Sequence, residues 1–399
     1  MEKRLYINGK VEEYETELIP LDKLYFNDLN GRIATYIEEY NDNPKNEKLD
    51  SLILKDNKEK YNDLIAKYIK ESSNDNEKSY QNTKEDIRQK GQINPGVVLS
   101  DGRVIDGNRR FTAIRELYKE TGDPKFQYFE AVRLPGNLSK KDIKTLELWL
   151  QFNEDEKKEY NKIDFLVSLY NDVINEKTKQ FDDRQYIRAS GIKESDYKKD
   201  INIIDTMLDY LNWRNMPKAF YILKKEKLDG PLEEISRIRG KLSEEEWNLK
   251  KDPLYFQLTL VDTGDRTRDI RPLVDSAMKN GTLFKKFADD IGTPEKNMQL
   301  TMAVANKNKK PQSPDESKAI SSQLNSAQTL LVNSFKDAKC ESDIIDAYNE
   351  PLKLLDAIIT QINKIDTDLI NKMSLDQKNK VTAKISDVEA LLSNIKKIL

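Results

Sequence analysis

The sequence predicts an α+β protein in which a small mixed domain is followed by a helix-turn-helix-like unit and largely all-α C-terminal regions. Short runs of β-forming residues, separated by turn residues, lie close together before residue 135. From about residue 139 onward, apolar residues recur at the three- and four-residue spacing of amphipathic helices. A charged fraction of 34% against an apolar fraction of 37% is typical of a helix-rich protein with much solvated surface.

The first elements are predicted to be strands. Residues 5–7 and the residues from Val11 onward flank Asn8-Gly9, a dipeptide typical of a β-hairpin turn. A polar stretch over about residues 38–84 follows, and its apolar residues are spaced for amphipathic helices joined by loops.

The next fifty residues predict a compact α+β unit. A short helix is expected to begin at Thr83 and to end at Gly91. Strands are expected at 97–99, at 103–105 and, after a helix that follows Gly107, at 128–132.

A polar, proline-containing segment after residue 305 predicts the clearest domain boundary. Beyond it, three amphipathic helices predict an antiparallel three-helix bundle or a coiled-coil hairpin that would serve as a dimer contact. The predicted organisation is a first domain over residues 1–150, a helical segment with a helix-turn-helix-like unit over 151–215, a middle helical domain over 216–305, a linker over 306–318 and a C-terminal helical region over 319–399.

The composition excludes several kinds of active site. The 399 residues contain no histidine, so a Ser-His-Asp or Cys-His nucleophile, an imidazole base and a histidine-ligated metal are all excluded. Cys340 is the single cysteine and cannot form a disulfide, a redox pair or a cysteine metal cluster within the chain. Any catalysis therefore depends on carboxylates, Lys, Arg, Tyr, hydroxyl groups or a hard metal ion.

Charge and hydropathy predict a cytoplasmic protein that does not enter a membrane. The net charge is -3, which argues against a polycationic surface for indiscriminate DNA binding. No run approaches the roughly 18 apolar residues that a membrane span needs. The first residues, Met1-Glu2-Lys3-Arg4, lack the apolar stretch of a signal peptide.

The motif Asp106-Gly107-Asn108-Arg109-Arg110-Phe111 carries the sharpest chemical signal. It places two arginines in the first turn of a helix, where the helix dipole disfavours cations. A bound anion would remove that penalty, because free backbone N–H groups and guanidinium groups both bind phosphate oxygens. Gly107 would let the backbone approach closely, and Asp106 would cap the helix or help to hold Mg²⁺. In the alternative interpretation, both arginines pair with surface carboxylates.

Residues 87–99 and 101–113 together resemble the core of the ParB/sulfiredoxin superfamily, as a divergent member. The shared pattern is a short helix ending in glycine, a G-x-x-x-P entry to a strand, a hairpin, and a motif of the form G-E-R-R-x-x-A. The resemblance covers about residues 18–210, and the loop from Asn27 to Arg32 corresponds to an upstream family motif that here lacks its proline.

The resemblance implies a nucleotide ligand, because the arginine motif of ParB proteins binds the triphosphate of CTP. CTP or another nucleoside triphosphate is therefore expected, with Mg²⁺ as cofactor. The residues implied to bind it are Gln92 and Pro95, near the base or ribose, and Gly107, Asn108, Arg109 and Arg110.

Two departures from the family pattern bear on chemistry. Asn108 replaces the usual glutamate, which is expected to weaken hydrolysis or alter metal coordination. The motif also lacks the catalytic cysteine of sulfiredoxins, which excludes sulfinic-acid reduction of that type.

A second phosphate and metal element is expected downstream, where ParB proteins carry an E-N-x-x-R helix. Asn153 and Glu154 would act as the catalytic pair, with Glu154 joining Asp106 as a metal ligand and Lys157 contacting phosphate. The alternative for this segment is a solvated helical face.

Residues 182–204 predict a helix, a turn at Gly191-Ile192 and a second helix, which falls where ParB proteins place a DNA-reading unit. Lys198 and Lys199 would contact double-stranded DNA. Neighbouring acidic residues make this a poor phosphate-contacting surface, so a protein–protein role is the alternative.

The favoured hypothesis is a ParB-like nucleotide-binding switch, a slow nucleoside triphosphatase that acts as a DNA-associated homodimeric clamp. One alternative is a metal-dependent nuclease or a small-molecule kinase on the same fold. The other is a DNA-binding or adaptor protein without enzymatic activity.

Overall fold

The computed structural model describes residues 2–7, 9–49, 57–72, 76–153, 161–309 and 311–399. It confirms the predicted mixed α+β class, with a small sheet in the N-terminal part and a mostly helical remainder. The chain divides into two compact units, and the boundary along the chain falls between Ser334 and Phe335.

The strands all lie in the N-terminal third of the described chain. They are β1 (Glu2–Ile7), β2 (Lys10–Glu15), β3 (Glu17–Pro20), β4 (Tyr25–Phe26), β5 (Gly96–Val98), β6 (Arg103–Asp106) and β7 (Tyr128–Arg133). The helices of this part are α1 (Ala34–Asp42), α2 (Lys58–Glu71), α3 (Asn76–Lys90), α4 (Asn108–Thr121) and α5 (Lys140–Asn153).

The remaining described helices begin with α6 (Lys162–Leu169), which continues into a π-helical turn over Tyr170–Ile174. They go on as α7 (Asp183–Ser190), α8 (Glu194–Trp213), α9 (Phe220–Lys225), α10 (Asp229–Arg239), α11 (Glu244–Leu260), α12 (Arg266–Met278), α13 (Thr282–Ile291), α14 (Pro294–Lys307), α15 (Pro314–Ile362), α16 (Thr367–Asn371) and α17 (Leu375–Lys396). In the described part of the chain, no helix combines the length and apolarity that crossing a bilayer requires.

The predicted N-terminal hairpin is confirmed. Strands β1 and β2 pair antiparallel, with Ile7 opposite Lys10 across the turn. Gly9 takes the positive φ, +80°, that such a tight turn favours. Leu5 and Ile7 point inward and are buried, so the hairpin is held by the core as well as by its own ladder.

A five-stranded sheet of order β3-β7-β5-β6-β4 forms the centre of the N-terminal part. The β5 strand pairs antiparallel with β6 and parallel with β7. Successive residues alternate between its faces: Val98 packs with the core under α2, α3 and α4, whereas Val97 packs with Leu5, Leu146 and Leu150. The sheet is therefore covered on both faces, by helices on one and by the β1–β2 hairpin with α5 on the other.

The helix before β5 begins earlier than the sequence suggested. Thr83 was expected to cap its first turn, yet α3 already begins at Asn76. The Thr83 hydroxyl donates to the carbonyl of Ser79, one turn back, as a threonine inside a helix does. The predicted end is confirmed, because Gly91 follows Lys90 with a φ of +78°.

The helix-turn-helix elements form as predicted. Helix α7 begins with a capping box between Asp182 and Gln185, and it ends at Gly191, whose φ of +70° allows the chain to turn. Helix α8 begins at Glu194, two residues after the predicted turn at Gly191-Ile192.

The C-terminal region differs from the expected bundle. Its first two predicted helices are one continuous helix, α15, because residues 336–350 contain no glycine or proline and Pro351 is accommodated inside the helix. The irregular connection before it is shorter than the predicted 306–318 linker, since α14 extends to Lys307 and α15 begins at Pro314. Large apolar side chains of α17 such as Ile385 and Leu391 are exposed and do not pack into a bundle.

Candidate functional site: a cleft lined by arginines

A cleft of about 540 Å³ lies beside the junction of β6 and α4. Its walls come from that junction, from the turn at Asn30-Gly31-Arg32, from α3 and from α5. Four cationic side chains, Arg32, Arg109, Arg110 and Lys144, line it. Segments that are far apart in sequence thus place their positive charges around one cavity.

Gly107 makes the sharp turn from β6 into α4. Its φ is +85°, in the left-handed region that favours glycine. A Cβ at this position would come within 3.0 Å of the Phe129 ring and 3.1 Å of the Arg110 guanidinium group. The turn leaves the helix without a capping side chain, and in the described structure no side chain accepts a hydrogen bond from the N–H groups of Asn108, Arg109 or Arg110.

Arg109 is half-buried in the first turn of α4 and has no hydrogen bond or ion pair to any described residue. Burial lowers its pKa, and the positive charge of nearby Arg32 lowers it further. A cation in the first turn of a helix is unfavourable for the protein alone, and an anion bound there would make it favourable.

Arg110 is held from one side only. Its Nη2 lies 3.3 Å from Oδ2 of Asp106, while its Nε is buried and has no hydrogen-bond partner among the described residues. Lys3 from the N-terminal hairpin approaches the same carboxylate oxygen to 2.8 Å. Burial alone would raise the pKa of Asp106, but the charges of Lys3 and Arg110 and the hydrogen bonds it accepts from Lys3 and Gly107 hold that pKa below its usual value.

Asn108 is the first residue of α4 and lines the cleft with nine-tenths of its surface buried. Its backbone carbonyl accepts a hydrogen bond from the Thr112 hydroxyl, whereas its side-chain Oδ1 has no partner. As an amide, Asn108 places no negative charge at the positive end of the helix dipole.

Helix α5 adds two residues that the sequence interpretation missed. Lys144 and Glu147 line the cleft, 3.5 Å apart, and Lys144 also lies 3.3 Å from Asp172. Asn27 donates to Glu147 over 2.7 Å. Burial raises the pKa of Glu147 despite Lys144, and the two carboxylates raise that of Lys144 despite its burial. The sequence feature that could have drawn attention to these two residues is their opposite charge at i, i+3 spacing on a helix face that is otherwise apolar.

Gln92 and Pro95 do not line the cleft, although the intervening Ile93 and Asn94 do. The Gln92 amide donates to the carbonyl of Glu130 at 2.7 Å and accepts from its N–H at 2.9 Å, which ties the α3–β5 loop to β7. The Pro95 carbonyl accepts from Lys3 at 3.0 Å. Both residues therefore have structural partners, and their predicted contact with a base or ribose has no support in this geometry.

The predicted catalytic element lies mostly outside the described residues. Asn153 is the last residue of α5, but its side chain is not described, and Glu154 and Lys157 fall in the gap that follows. Their predicted roles in catalysis, metal binding and phosphate contact stay predictions.

The described carboxylates do not fit the expected Mg²⁺ site. Across those parts of the chain that the structure covers, no group of three Asp, Glu or Cys side chains is arranged to hold a metal ion. Asp106 is already paired with Lys3 and Arg110, which leaves it no role as a free ligand. Mg²⁺ commonly binds through phosphates with few protein ligands, so the expected Mg²⁺ stays a prediction.

The lysines predicted to contact DNA are both paired with acids. Lys198 lies 2.6 Å from Glu194, and Lys199 forms an ion pair with Glu233 of α10. The hydrogen bond to Glu233 raises the pKa of Lys199. These pairs reduce the positive field that a DNA backbone would meet at α8.

The cleft combines an uncapped helix N-terminus, an arginine without a partner in the described structure and a buried amide oxygen without a hydrogen bond. All three are features of a site built for a ligand and not of a closed structural contact. Searches of protein-family models, curated proteins and solved structures found no match to this chain.

Proposed function

We propose that this chain is a ParB-like nucleotide-binding switch, which holds the phosphates of CTP or another nucleoside triphosphate in the cleft at the N-terminus of α4. The observation that carries the proposal is the position of Arg109, next to Arg32 and without an anionic partner in the described structure. A phosphate between these guanidinium groups would replace repulsion with charge-assisted hydrogen bonds.

The cleft favours a polyphosphate over a single phosphate. Arg32, Arg109 and Arg110 place three guanidinium groups along a cleft of about 540 Å³, which is in the range of ligand pockets for small molecules, whereas Lys144 is already paired with Glu147 and Asp172. The first-turn N–H groups of α4 add donors at the positive end of a helix dipole.

The same geometry suits a switch. Arg32 lies in the turn that leads directly into α1, Arg109 begins α4, and Lys144 belongs to α5. A ligand bound to all three would tie these elements together, and its release would let them separate. Turnover is expected to be slow, because the chain has no histidine base and Glu147 is held by Asn27 and Lys144.

The proposal includes a homodimer and an association with double-stranded DNA as partners. The exposed apolar residues of α17 support a dimer contact, since a long unpaired apolar stripe on a helix is typical of an interaction surface. The DNA contact has weaker support, because Lys198 and Lys199 are both paired with acids.

Calorimetric titration with CTP, ATP and GTP, each with and without Mg²⁺, tests the proposal. We expect at least one nucleotide to bind, and Arg109→Ala to weaken that binding at least tenfold, since a charged hydrogen bond contributes about 1.5–3 kcal/mol. The matched control is Arg268→Ala, which removes an exposed arginine from the first turn of α12 and should leave affinity unchanged. No binding of any nucleotide at millimolar concentration would refute the proposal.

A further inference from the structure

One carboxylate oxygen near the cleft is shared by two cations. Asp106 Oδ2 accepts from Lys3 Nζ at 2.8 Å and from Arg110 Nη2 at 3.3 Å. The shorter contact is with the lysine, which belongs to the N-terminal hairpin and does not itself line the cleft. The Lys3 side chain is 12% exposed and that of Asp106 is 21% exposed, so solvent screens this group of charges only partly.

This arrangement sets the charge that a ligand would meet. An unpaired Asp106 would repel phosphate and would hold Arg110 in a close i, i+4 ion pair. With Lys3 present, the negative charge of Asp106 is already balanced. The charge of Arg110 and its unpartnered Nε are then available to a ligand in the cleft.

We propose that Lys3 is a positioning residue of the phosphate cleft, which supplies the counter-charge of Asp106 and thereby leaves the charge of Arg110 for the bound phosphates. The inference rests on the proposed function of the cleft and goes beyond it, because it assigns a role in ligand affinity to a hairpin outside the binding walls.

The hairpin does not depend on Lys3 for its attachment. Leu5 and Ile7 are buried in a core that includes Leu146 and Leu150 of α5. The Tyr6 ring also stacks on Trp149, with ring centroids 6.3 Å apart. Replacing the Lys3 side chain should therefore change the charge beside Asp106 while the strand stays in place.

The experiment measures affinity for the nucleotide that the wild type binds, and for inorganic tripolyphosphate, by calorimetry. We expect Lys3→Met to weaken both affinities about tenfold, because a close and partly buried charge is lost. Lys3→Arg should bind within about threefold of wild type. The affinity of the double variant Lys3→Met with Asp106→Asn should also lie within about threefold of wild type, since the uncompensated carboxylate is then absent. Lys10→Met, at an exposed lysine of the same hairpin, is the control and should bind as wild type.

The outcomes separate the two proposals. Wild-type protein that binds neither probe refutes the proposed function, and this inference falls with it. Wild-type binding with an unchanged Lys3→Met affinity overturns this inference alone. It is also overturned if the double variant stays as weak as Lys3→Met, because Lys3 would then act through the fold of the hairpin. If Lys3→Met does not fold, the single variant Asp106→Asn tests the inference instead. Asp106→Asn should bind both probes at least as tightly as wild type. Clearly weaker binding would contradict the role of Lys3 as the counter-charge of Asp106.

Discussion

Replacing Arg109 by methionine should stabilise the ligand-free protein while it removes ligand binding. Methionine keeps most of the aliphatic length of arginine but carries no charge. Arg109 lies in the first turn of α4, is half-buried and is close to Arg32, and burial and that neighbour both lower its pKa. All three circumstances disfavour a positive charge in the empty protein.

The expected gain is about 1 kcal/mol. A cation in a first turn costs about 0.3–1 kcal/mol from the helix dipole alone. Burial and Arg32 add to this cost, but solvent reaches part of the side chain and screens it, so the total stays near the upper end of that range. With an unfolding entropy of about 2.1 cal/mol/K per residue over 399 residues, a change of 1 kcal/mol corresponds to a rise in Tm of about 1 °C.

Urea unfolding and thermal melts of the ligand-free protein measure the gain, and nucleotide titration measures the loss of binding. Arg268→Met is the matched control, because Arg268 is exposed in the first turn of α12 and reports the dipole contribution without burial. We expect a smaller rise in stability for the control and no change in affinity. A clear loss of stability in Arg109→Met would show that Arg109 is a structural residue and would refute the reasoning. An unchanged nucleotide affinity in Arg109→Met would also refute the reasoning.

Three further predictions follow from other parts of the fold. Gly107→Ala should destabilise the protein by about 1–3 kcal/mol in urea, because φ is +85° and the new methyl group would meet the Phe129 ring at 3.0 Å; Gly122→Ala, with φ +65° and open space around it, should cost less. Burial, with Asp164 and Asp42 adding to it, raises the pKa of Glu38 from 4.5 to about 8, so its contribution to stability is fully present below about pH 4.5 and is lost as the pH rises through 8. Wild type should therefore lose stability over that window relative to Glu38→Gln in urea titrations at several pH values, and parallel curves would contradict this. Apolar residues follow a four-three spacing along α17 at Val381, Ile385, Val388, Leu392 and Ile395, so the wild type should be a dimer by light scattering. The double variant Ile385→Glu with Leu392→Glu should be a monomer of 46.4 kDa. A monomeric wild type would contradict the proposed dimer.

Local sequence signals predicted the elements that depend on near neighbours. The hairpin of β1 and β2 with its turn at Gly9, the end of α3 at Gly91 and the passage from β6 through Gly107 into α4 all formed as expected. Each of these is determined by the backbone preferences of a glycine and by residues within a few positions of it. The start of α3 was misjudged, because threonine is compatible with a cap and also with an internal position where it bonds back to the preceding turn.

Local sequence signals did not predict the part of the cleft that α5 contributes. Nothing in the sequence around Lys144 or Glu147 indicates that α5 packs across the sheet beside α4. Gln92, close to the predicted binding motif, bonds two backbone groups of β7 in the folded chain, a contact that the local sequence does not indicate.

The sequence by itself determined the chemistry that this protein can use and the helix N-terminus at which we propose that an anion binds. The absence of histidine and the single cysteine restrict any reaction to carboxylates, amides, cations and hydroxyl groups, and the two arginines after Gly107 mark the helix N-terminus. Only the tertiary structure decided which charges surround that terminus. Arg32 and Lys144 reach it through the packing of the sheet, and Lys3 reaches Asp106 through pairing of the N-terminal hairpin. Charges interact through space, so the electrostatics of the cleft depend on contacts between residues more than a hundred positions apart, and these exist only in the folded chain.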